Sequence, residues 1–154
     1  MPAARVTRLT ESDWEQFAQL RLRALTDTFG TSDRQYLTEA GFTAADWRRR
    51  LRDHAQFAAF LGRRPVGLVA AYQESAETAY LYSLWLDQQA RGRGLARRLV
   101  TAALDWAHRR RVRTVTLRME PDNDAARTLY EALGFVEVPS GRMSGEVVMS
   151  LSLG

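Results

Sequence analysis

Arginine and glycine alternate at Arg91-Gly92-Arg93-Gly94, a pattern suited to holding phosphate, because glycine backbone reaches positive φ and comes close to an anion. Ahead of the loop, Leu81, Tyr82, Leu84, Trp85 and Leu86 form an apolar and aromatic run that reads as a buried strand. Behind it, Leu95, Leu99, Val100, Ala103, Leu104, Trp106 and Ala107 repeat at helical spacing. A strand, a glycine loop and a helix start present N–H groups that lack a backbone partner and point one way. The helix end contributes roughly 0.3–1 kcal/mol toward an exposed anion, so the charges of Arg91 and Arg93 matter as well. A phosphorylated ligand is expected here.

Two common phosphate-binding patterns do not fit. A P-loop ends in Gly-Lys-Ser/Thr, and this chain has no lysine. A dinucleotide fingerprint needs a third glycine, where Arg97 stands, and an acidic residue about 20 positions on.

The composition narrows the classes further. A chain of 154 residues with 45% hydrophobic content reads as one globular domain, 1–154. It contains no run near the ~20 apolar residues of a membrane span, and MPAARVTRL lacks the apolar core of a secretory signal. A cytoplasmic protein without membrane attachment is expected. With no cysteine there is no disulfide framework, thiolate nucleophile or cysteine zinc site. His54 and His108 are too few and too scattered for a metal centre, so no metal is expected. All 22 basic residues are arginine and the net charge is +4. The densest run, Arg109-Arg110-Arg111, falls at an expected helix end, where cations complement the dipole. No nucleic-acid partner is expected.

The elements that must position the loop are legible from periodicity. A first strand spans 4–9. Thr10 or Ser12 opens a helix in which Trp14, Phe17, Leu20, Leu22 and Leu25 line one face to about residue 26, with Trp14 and Phe17 in the core. Periodicity fades over 27–43, a loop with at most a helical turn near 34–40; such a stretch is often functional. Thr43 and Asp46 pair as a capping box for a helix carrying Trp47 and Leu51, with His54 at its surface or cap. Strands come next at 55–61, 66–72 and 78–86, joined by turns. After the loop and its helix, ending near Arg111, residues 112–119 alternate as a strand. Pro121-Asp122-Asn123 opens a helix that Gly134 closes. The last strands are 135–138 and 146–153, split by a polar turn.

A second motif, Asn123-Asp124-Ala125-Ala126 and then Leu129-Tyr130-Glu131-Ala132-Leu133-Gly134-Phe135, stands some 30 residues after the loop. Taken singly, Asn123 reads as a helix cap and Tyr130 as a core aromatic. Together with the loop they closely resemble the two signatures of the GNAT N-acetyltransferases: Arg/Gln-x-x-Gly-x-Gly/Ala, here Arg91-Gly92-Arg93-Gly94-Leu95-Ala96, then Asn-x-x-Ala and Leu-Tyr-x-x-x-Gly-Phe. The register Gln89 to Gly94 also fits the first signature; the later one leaves Leu95, Leu99 and Val100 to begin a helix. The element order β-α-α-β-β-β-α-β-α-β-β agrees with that family over essentially the whole chain.

The resemblance implies an α/β fold, a mostly antiparallel mixed sheet splayed between its fourth and fifth strands and flanked by helices. It implies acetyl-CoA as co-substrate. The pantetheine arm pairs with backbone of Leu84, Trp85 and Leu86, as an added strand would, and an amide near Leu86 steadies the thioester oxygen. The loop from Arg91 through Gly92, Arg93, Gly94, Leu95 and Ala96 to Arg97 holds the pyrophosphate. Asn123, with Ala126 in its motif, binds the cofactor arm, and Tyr130 lies near the sulfur. The reaction needs a base, oxyanion donors and an acid for the departing thiolate. Tyr130 is the expected general acid, and a water held by Tyr82 or Ser83 the expected base.

Tyr36, Phe42 and Arg142, with Trp85, are expected to shape the acceptor pocket, built from 27–43, the first two helices and the last hairpin. The expected acceptor is a small-molecule amine. Some members that act on peptide N-termini carry glutamate where this chain has Arg118, which disfavours a protein N-terminus. The alternatives are a protein acetyltransferase and a non-catalytic acyl-CoA-binding module. Homodimers are frequent among such proteins.

Overall fold

The structure, a computed structural model, describes residues 3–139 and 145–154. Seven strands hydrogen-bond in the order β1-β2-β3-β4-β5-β7-β6. They are β1 (Ala4–Leu9), β2 (Ala55–Leu61), β3 (Arg64–Gln73), β4 (Thr78–Leu86), β5 (Thr114–Met119), β6 (Val136–Glu137) and β7 (Val147–Ser152). The helices are α1 (Trp14–Phe29), α2 (Arg34–Ala40), α3 (Ala44–Asp53), α4 (Leu95–Arg109) and α5 (Asp124–Ala132). The sheet is mixed: β4 and β5 run parallel, whereas β1–β2, β5–β7 and β6–β7 are antiparallel. The expected mixed α/β sheet flanked by helices is therefore present. No helix among the described residues is long and apolar enough to cross a membrane.

Contacts divide the chain into two compact units. The first comprises residues 1–70 and 83–103. Its core gathers Phe17 and Leu20 of α1, Trp47 and Leu51 of α3, Phe60 of β2 and Leu68 of β3. Phe17 and Phe42 both meet the Trp47 ring edge-on, at 5.5 and 5.0 Å between centroids, an arrangement aromatic quadrupoles favour. The Thr43–Asp46 capping box forms as expected: the Asp46 carboxylate accepts the Thr43 amide at 2.9 Å and the Thr43 hydroxyl accepts the Asp46 amide at 3.2 Å. His54 is the C-cap of α3.

The second unit comprises residues 71–82 and 104–154. Here β5 and β7 pair from Thr114↔Ser152 to Met119↔Val147, and Val115, Leu117, Met119, Val147 and Met149 are buried. The β4–β5 pairing covers Thr78–Tyr80 against Thr114–Thr116.

Several boundaries differ from expectation for local reasons. Helix α1 continues to Phe29 and stops at Gly30, whose φ is +85°. Helix α4 stops at Arg109 because Arg111 takes a left-handed φ of +62°, and the Val112 amide reaches back to the Ala107 carbonyl at 3.0 Å. Strand β5 accordingly starts at Thr114. The 34–40 turn is a full helix, because Asp33 accepts the amides of Gln35 and Tyr36 at 2.9 and 3.2 Å.

Candidate active site

In the first unit, β4 carries an unusual backbone conformation at Ser83. Its φ of +59° is left-handed in a residue with a Cβ, a conformation that costs on the order of 1–3 kcal/mol unless the surroundings hold it. Such a break turns a strand and re-aims the residues after it, here Leu84, Trp85 and Leu86, all half-buried. The Ser83 hydroxyl accepts a hydrogen bond from Arg21 Nη1 at 3.0 Å.

Arg21 belongs to a buried polar cluster. Its Nε and Nη2 donate to the two oxygens of Glu39 at 3.0 and 3.3 Å. Arg50 Nη1 and Gln35 Nε2 donate to the same carboxylate at 2.8 and 3.1 Å. Burial pushes the Glu39 carboxyl up, but the Arg21 hydrogen bond and charge, then Arg50 and Gln35, outweigh it and hold the group below the usual range. Sequence reading missed this cluster. The available signal was Arg21 itself, a charge within the apolar stripe formed by Phe17, Ala18, Leu20, Ala24 and Leu25.

Beyond Leu86 the chain turns through Asp87. The Asp87 carboxylate accepts the Gln89 amide at 3.0 Å, Arg23 Nη2 at 2.6 Å and Arg64 Nη2 at 3.1 Å. The Gln89 amide lowers its pKa, burial opposes, and Arg64 and Arg23 lower it further. Gly92 and Gly94 then adopt φ of +79° and +75°, and Arg91 to Gly94 are all exposed. The first helical bond of α4 runs from the Arg98 amide to the Gly94 carbonyl at 3.1 Å, so the amides of Leu95, Ala96 and Arg97 precede the intrahelical ladder. Arg91 Nε holds the Leu86 carbonyl at 3.2 Å, tying the loop to the strand end. A Cβ on Gly67 of β3 would lie 2.7 Å from Leu86 Cδ1 and 3.2 Å from Leu99 Cδ1. The bare glycine is what lets those two side chains settle over β3.

Trp85 donates its indole N–H to Asp27 at 2.8 Å, with the Arg23 guanidinium 5.5 Å from its ring. These residues, with Gln19, Leu22, Thr26 and Asp87–Gln89, line a groove of 590 Å³. Of the expected acceptor residues, Trp85 lines this groove. Phe42 packs against Trp47, with Arg50 5.0 Å above its ring. Tyr36 is half-buried on α2, and Arg142 lies outside the described residues.

The second unit carries the other motif. Asn123 Oδ1 accepts the Ala126 amide at 3.1 Å and caps α5; this leaves the Asn123 side-chain NH₂ as a donor. Tyr130, near the other end of α5, is buried and meets the Phe135 ring edge-on at 5.5 Å. Burial pushes its hydroxyl up to about 12. The Tyr130 carbonyl accepts the Phe135 amide at 3.0 Å across Gly134, where φ is +99°. The spacing Tyr-x-x-x-Gly-Phe is thus a helix-ending geometry. Tyr82 stacks on Tyr80 at 5.9 Å, and Arg118 lies 5.5 Å from the Tyr80 ring. Burial raises the Tyr80 hydroxyl, with Arg118 opposing. No cluster of three or more His, Cys, Asp or Glu able to hold a metal occurs among the described residues.

Of the expected residues, Ser83 to Arg97 thus lie in the first unit, and Tyr82, Asn123, Ala126 and Tyr130 in the second. In the first unit, an exposed glycine turn before a helix start suits a phosphorylated ligand.

Residues 14–135 match the model of the acetyltransferase (GNAT) family. Mycothiol acetyltransferase of Beutenbergia cavernae is 46% identical over 63 residues, which is 41% of this chain and 21% of that protein. N-alpha-acetyltransferase 40 of Saccharomyces cerevisiae is 37% identical over 93 residues, 54% of this chain and 33% of that protein. The chain spans between about a fifth and three fifths of the length of these curated relatives and another of the same kind. Among solved structures, the PaiA N-acetyltransferase of Thermoplasma acidophilum in complex with coenzyme A superposes with a TM-score of 0.77 at 14% identity, covering 97% of this chain and 99% of that one.

Proposed function

We propose that this chain, which belongs to the acetyltransferase (GNAT) family, transfers the acetyl group of acetyl-CoA to a primary amine of a small molecule by direct attack within a ternary complex. The observation that carries the reading is the exposed turn at Gly92 and Gly94, which opens directly into the N-terminus of α4. Oriented amides at a helix start, with arginine beside them, suit a pyrophosphate.

On this reading the amides from Arg91 to Arg97 hold the pyrophosphate, and backbone of Leu84, Trp85 and Leu86 pairs with pantetheine. The Asn123 side-chain NH₂ donates to the cofactor arm. The amine nitrogen attacks the thioester carbonyl, and backbone amides near Leu86 stabilise the oxyanion. The C–S bond then breaks and the thiolate leaves. Tyr130 sits at about 12, whereas a thiol titrates near ~8–9, so full transfer of its proton to the thiolate is uphill. Tyr130 acts chiefly by donating a hydrogen bond to sulfur. The proton lost by the amine passes to a water held by Tyr82 or Ser83. The Ser83 oxygen already accepts from Arg21, so its O–H is left to orient that water.

The groove beside Trp85 is edged by Asp27, whose carboxylate meets the neutral Trp85 indole N–H and carries a charge suited to an ammonium group, which supports a small amine as acceptor. No metal takes part in this scheme, and no nucleic acid or membrane partner is part of it. Acetyl-CoA supply fits a cytoplasmic setting, and a homodimer is compatible. The competing acceptor is a protein N-terminus, favoured by the likeness to an N-alpha-acetyltransferase and disfavoured by Arg118 on β5. Thiol release from acetyl-CoA separates them: polyamines and amino sugars drive turnover on the first reading, N-terminal peptides on the second. Coenzyme A binding without release by either panel would leave a non-catalytic acyl-CoA-binding module.

A further inference from the structure

A charged pair buried in a small protein is a weak stabiliser when it stands alone. The pair Arg21–Glu39 does not stand alone, because the guanidinium spends its remaining nitrogen on Ser83, with Nη1 to Oγ at 3.0 Å. Arg21 is 8% exposed and Glu39 2%, and every contact in the cluster is made by side chains. Arg21 comes from α1, Glu39 and Gln35 from α2, Arg50 from α3 and Ser83 from β4. Side chains of three helices therefore form one linked cluster that reaches β4 through the Ser83 hydroxyl, and Ser83 is the one left-handed non-glycine residue within a described strand.

We infer that Arg21 is a positioning residue: aimed by Glu39, its guanidinium holds Ser83 in the left-handed conformation and thereby sets the direction of the Leu84–Leu86 backbone groups toward the thioester. The physical need is clear from β4 alone. A serine in mid-strand relaxes toward extended dihedrals unless its side chain is held, and relaxation there would re-aim the amides that follow it in the strand. The Arg21 fork suits the task because its planar nitrogens keep fixed angles: Nε and Nη2 lock on the carboxylate while Nη1 points at the hydroxyl. Asp33 caps α2, which carries Glu39, and Thr43 caps α3, which carries Arg50, so the groups that aim Arg21 sit on well-ended elements. The cluster also gives α2 a mechanical link to β4.

The part concerning the thioester rests on the acetyltransferase reading; the part concerning Ser83 does not. The test uses ¹⁵N–¹H amide signals of Leu84, Trp85 and Leu86, together with thiol release from acetyl-CoA across the amine panel. Ser83→Ala removes the hydroxyl and leaves Arg21–Glu39 intact, so it keeps the fold. Ser83→Gly also removes the hydroxyl but takes positive φ without strain. The expected result is that Ser83→Ala shifts the three amide signals and lowers kcat about tenfold, while KM for acetyl-CoA changes less than threefold. Ser83→Gly should restore the signals, while kcat stays low because the hydroxyl that orients the water is gone. Arg21→Gln should resemble Ser83→Ala in its amide signals, and adding Ser83→Gly should recover them. Amide signals in Ser83→Ala that overlay on the parent would overturn the inference whether or not the parent is active. So would a glycine variant whose three amide signals are displaced as far as those of the alanine variant. A parent that releases no thiol with any amine counts against the acetyltransferase reading, while the amide signals still decide the role of Arg21.

Discussion

The side-chain oxygen of Asn123 accepts the backbone amide of Ala126 at 3.1 Å. This single contact explains the spacing Asn-x-x-Ala, because the donor is the third residue after the cap. It also leaves the side-chain NH₂ clear of that duty, so two functions can be separated. Asn123→Asp keeps the capping oxygen and loses the donor: stability should hold, and affinity for coenzyme A should fall several-fold. Asn123→Ala should lose both, with about 1 kcal/mol of stability. Thermal unfolding and coenzyme A titration of the two variants check this.

Tyr130→Phe tests the leaving-group step. A phenol at about 12 helps a thiolate by hydrogen bonding more than by proton transfer. Turnover should therefore drop about tenfold, short of the ~10²–10⁴ typical when a catalytic acid is removed. A larger fall in kcat would mean that thiolate protonation limits the rate.

The same phenol links stability to alkaline pH. Its folded pKa lies above the ordinary value of 10.0, so the contribution is whole below pH 10 and is lost as pH rises through 12. The full loss is about 3 kcal/mol, since each pKa unit is worth roughly 1.36 kcal/mol. Denaturant titrations from neutral to alkaline pH should show this decline, and Tyr130→Phe should lack it.

Glu39 gives the opposite dependence. Burial works against its charge, but Arg21, Arg50 and Gln35 bring the net pKa below the ordinary 4.5. Its contribution is therefore present above that value and fades as pH falls through the folded pKa. At neutral pH Glu39→Gln should cost about 3–5 kcal/mol, because two guanidinium groups lose their carboxylate inside the protein. Urea midpoints at neutral and acid pH for parent and variant give the comparison, and the two should converge in acid.

The division between what was legible and what was not comes from range. Strands β1, β2 and β4 were readable because alternation or apolar runs with turn signals are local. The capping box at Thr43 and the helix stop at Gly134 were readable because three or four adjacent residues define them. Helix α2 was only half visible: its stretch is polar, and what stabilises it is Asp33 gripping two amides together with Glu39 buried beneath it. The Arg21–Glu39–Ser83 cluster was not readable, since its members are 18 and 62 positions apart in sequence. The left-handed turn at Ser83 was equally hidden, because serine carries no backbone signal of the kind glycine does at Gly92. Gly67 passed as an ordinary strand residue, although Leu86 and Leu99 need its missing side chain.

That last site makes a compact test of how β4 is seated. In Gly67→Ala the new methyl would lie 2.7 Å from Leu86 Cδ1 and 3.0 Å from the Trp85 carbonyl oxygen. The side chain can swing away but the carbonyl cannot without moving the strand, so about 1–3 kcal/mol of overpacking is expected. Coenzyme A affinity should fall with it. A variant as stable as the parent by thermal unfolding would contradict this packing.

The central claim is that the amides from Arg91 to Arg97 hold the pyrophosphate of coenzyme A. Calorimetric titration of coenzyme A into the parent and into Gly94→Glu tests it most directly. Gly94 has φ of +75° and open space around its Cα, so glutamate there strains the loop and sets a negative charge beside the phosphates without crowding the core. Clear heat of binding is expected for the parent and a loss of at least tenfold in affinity for Gly94→Glu, with stability lowered by only about 1–2 kcal/mol from the left-handed φ. Absence of binding by the parent, or equal affinity in both proteins, would contradict it.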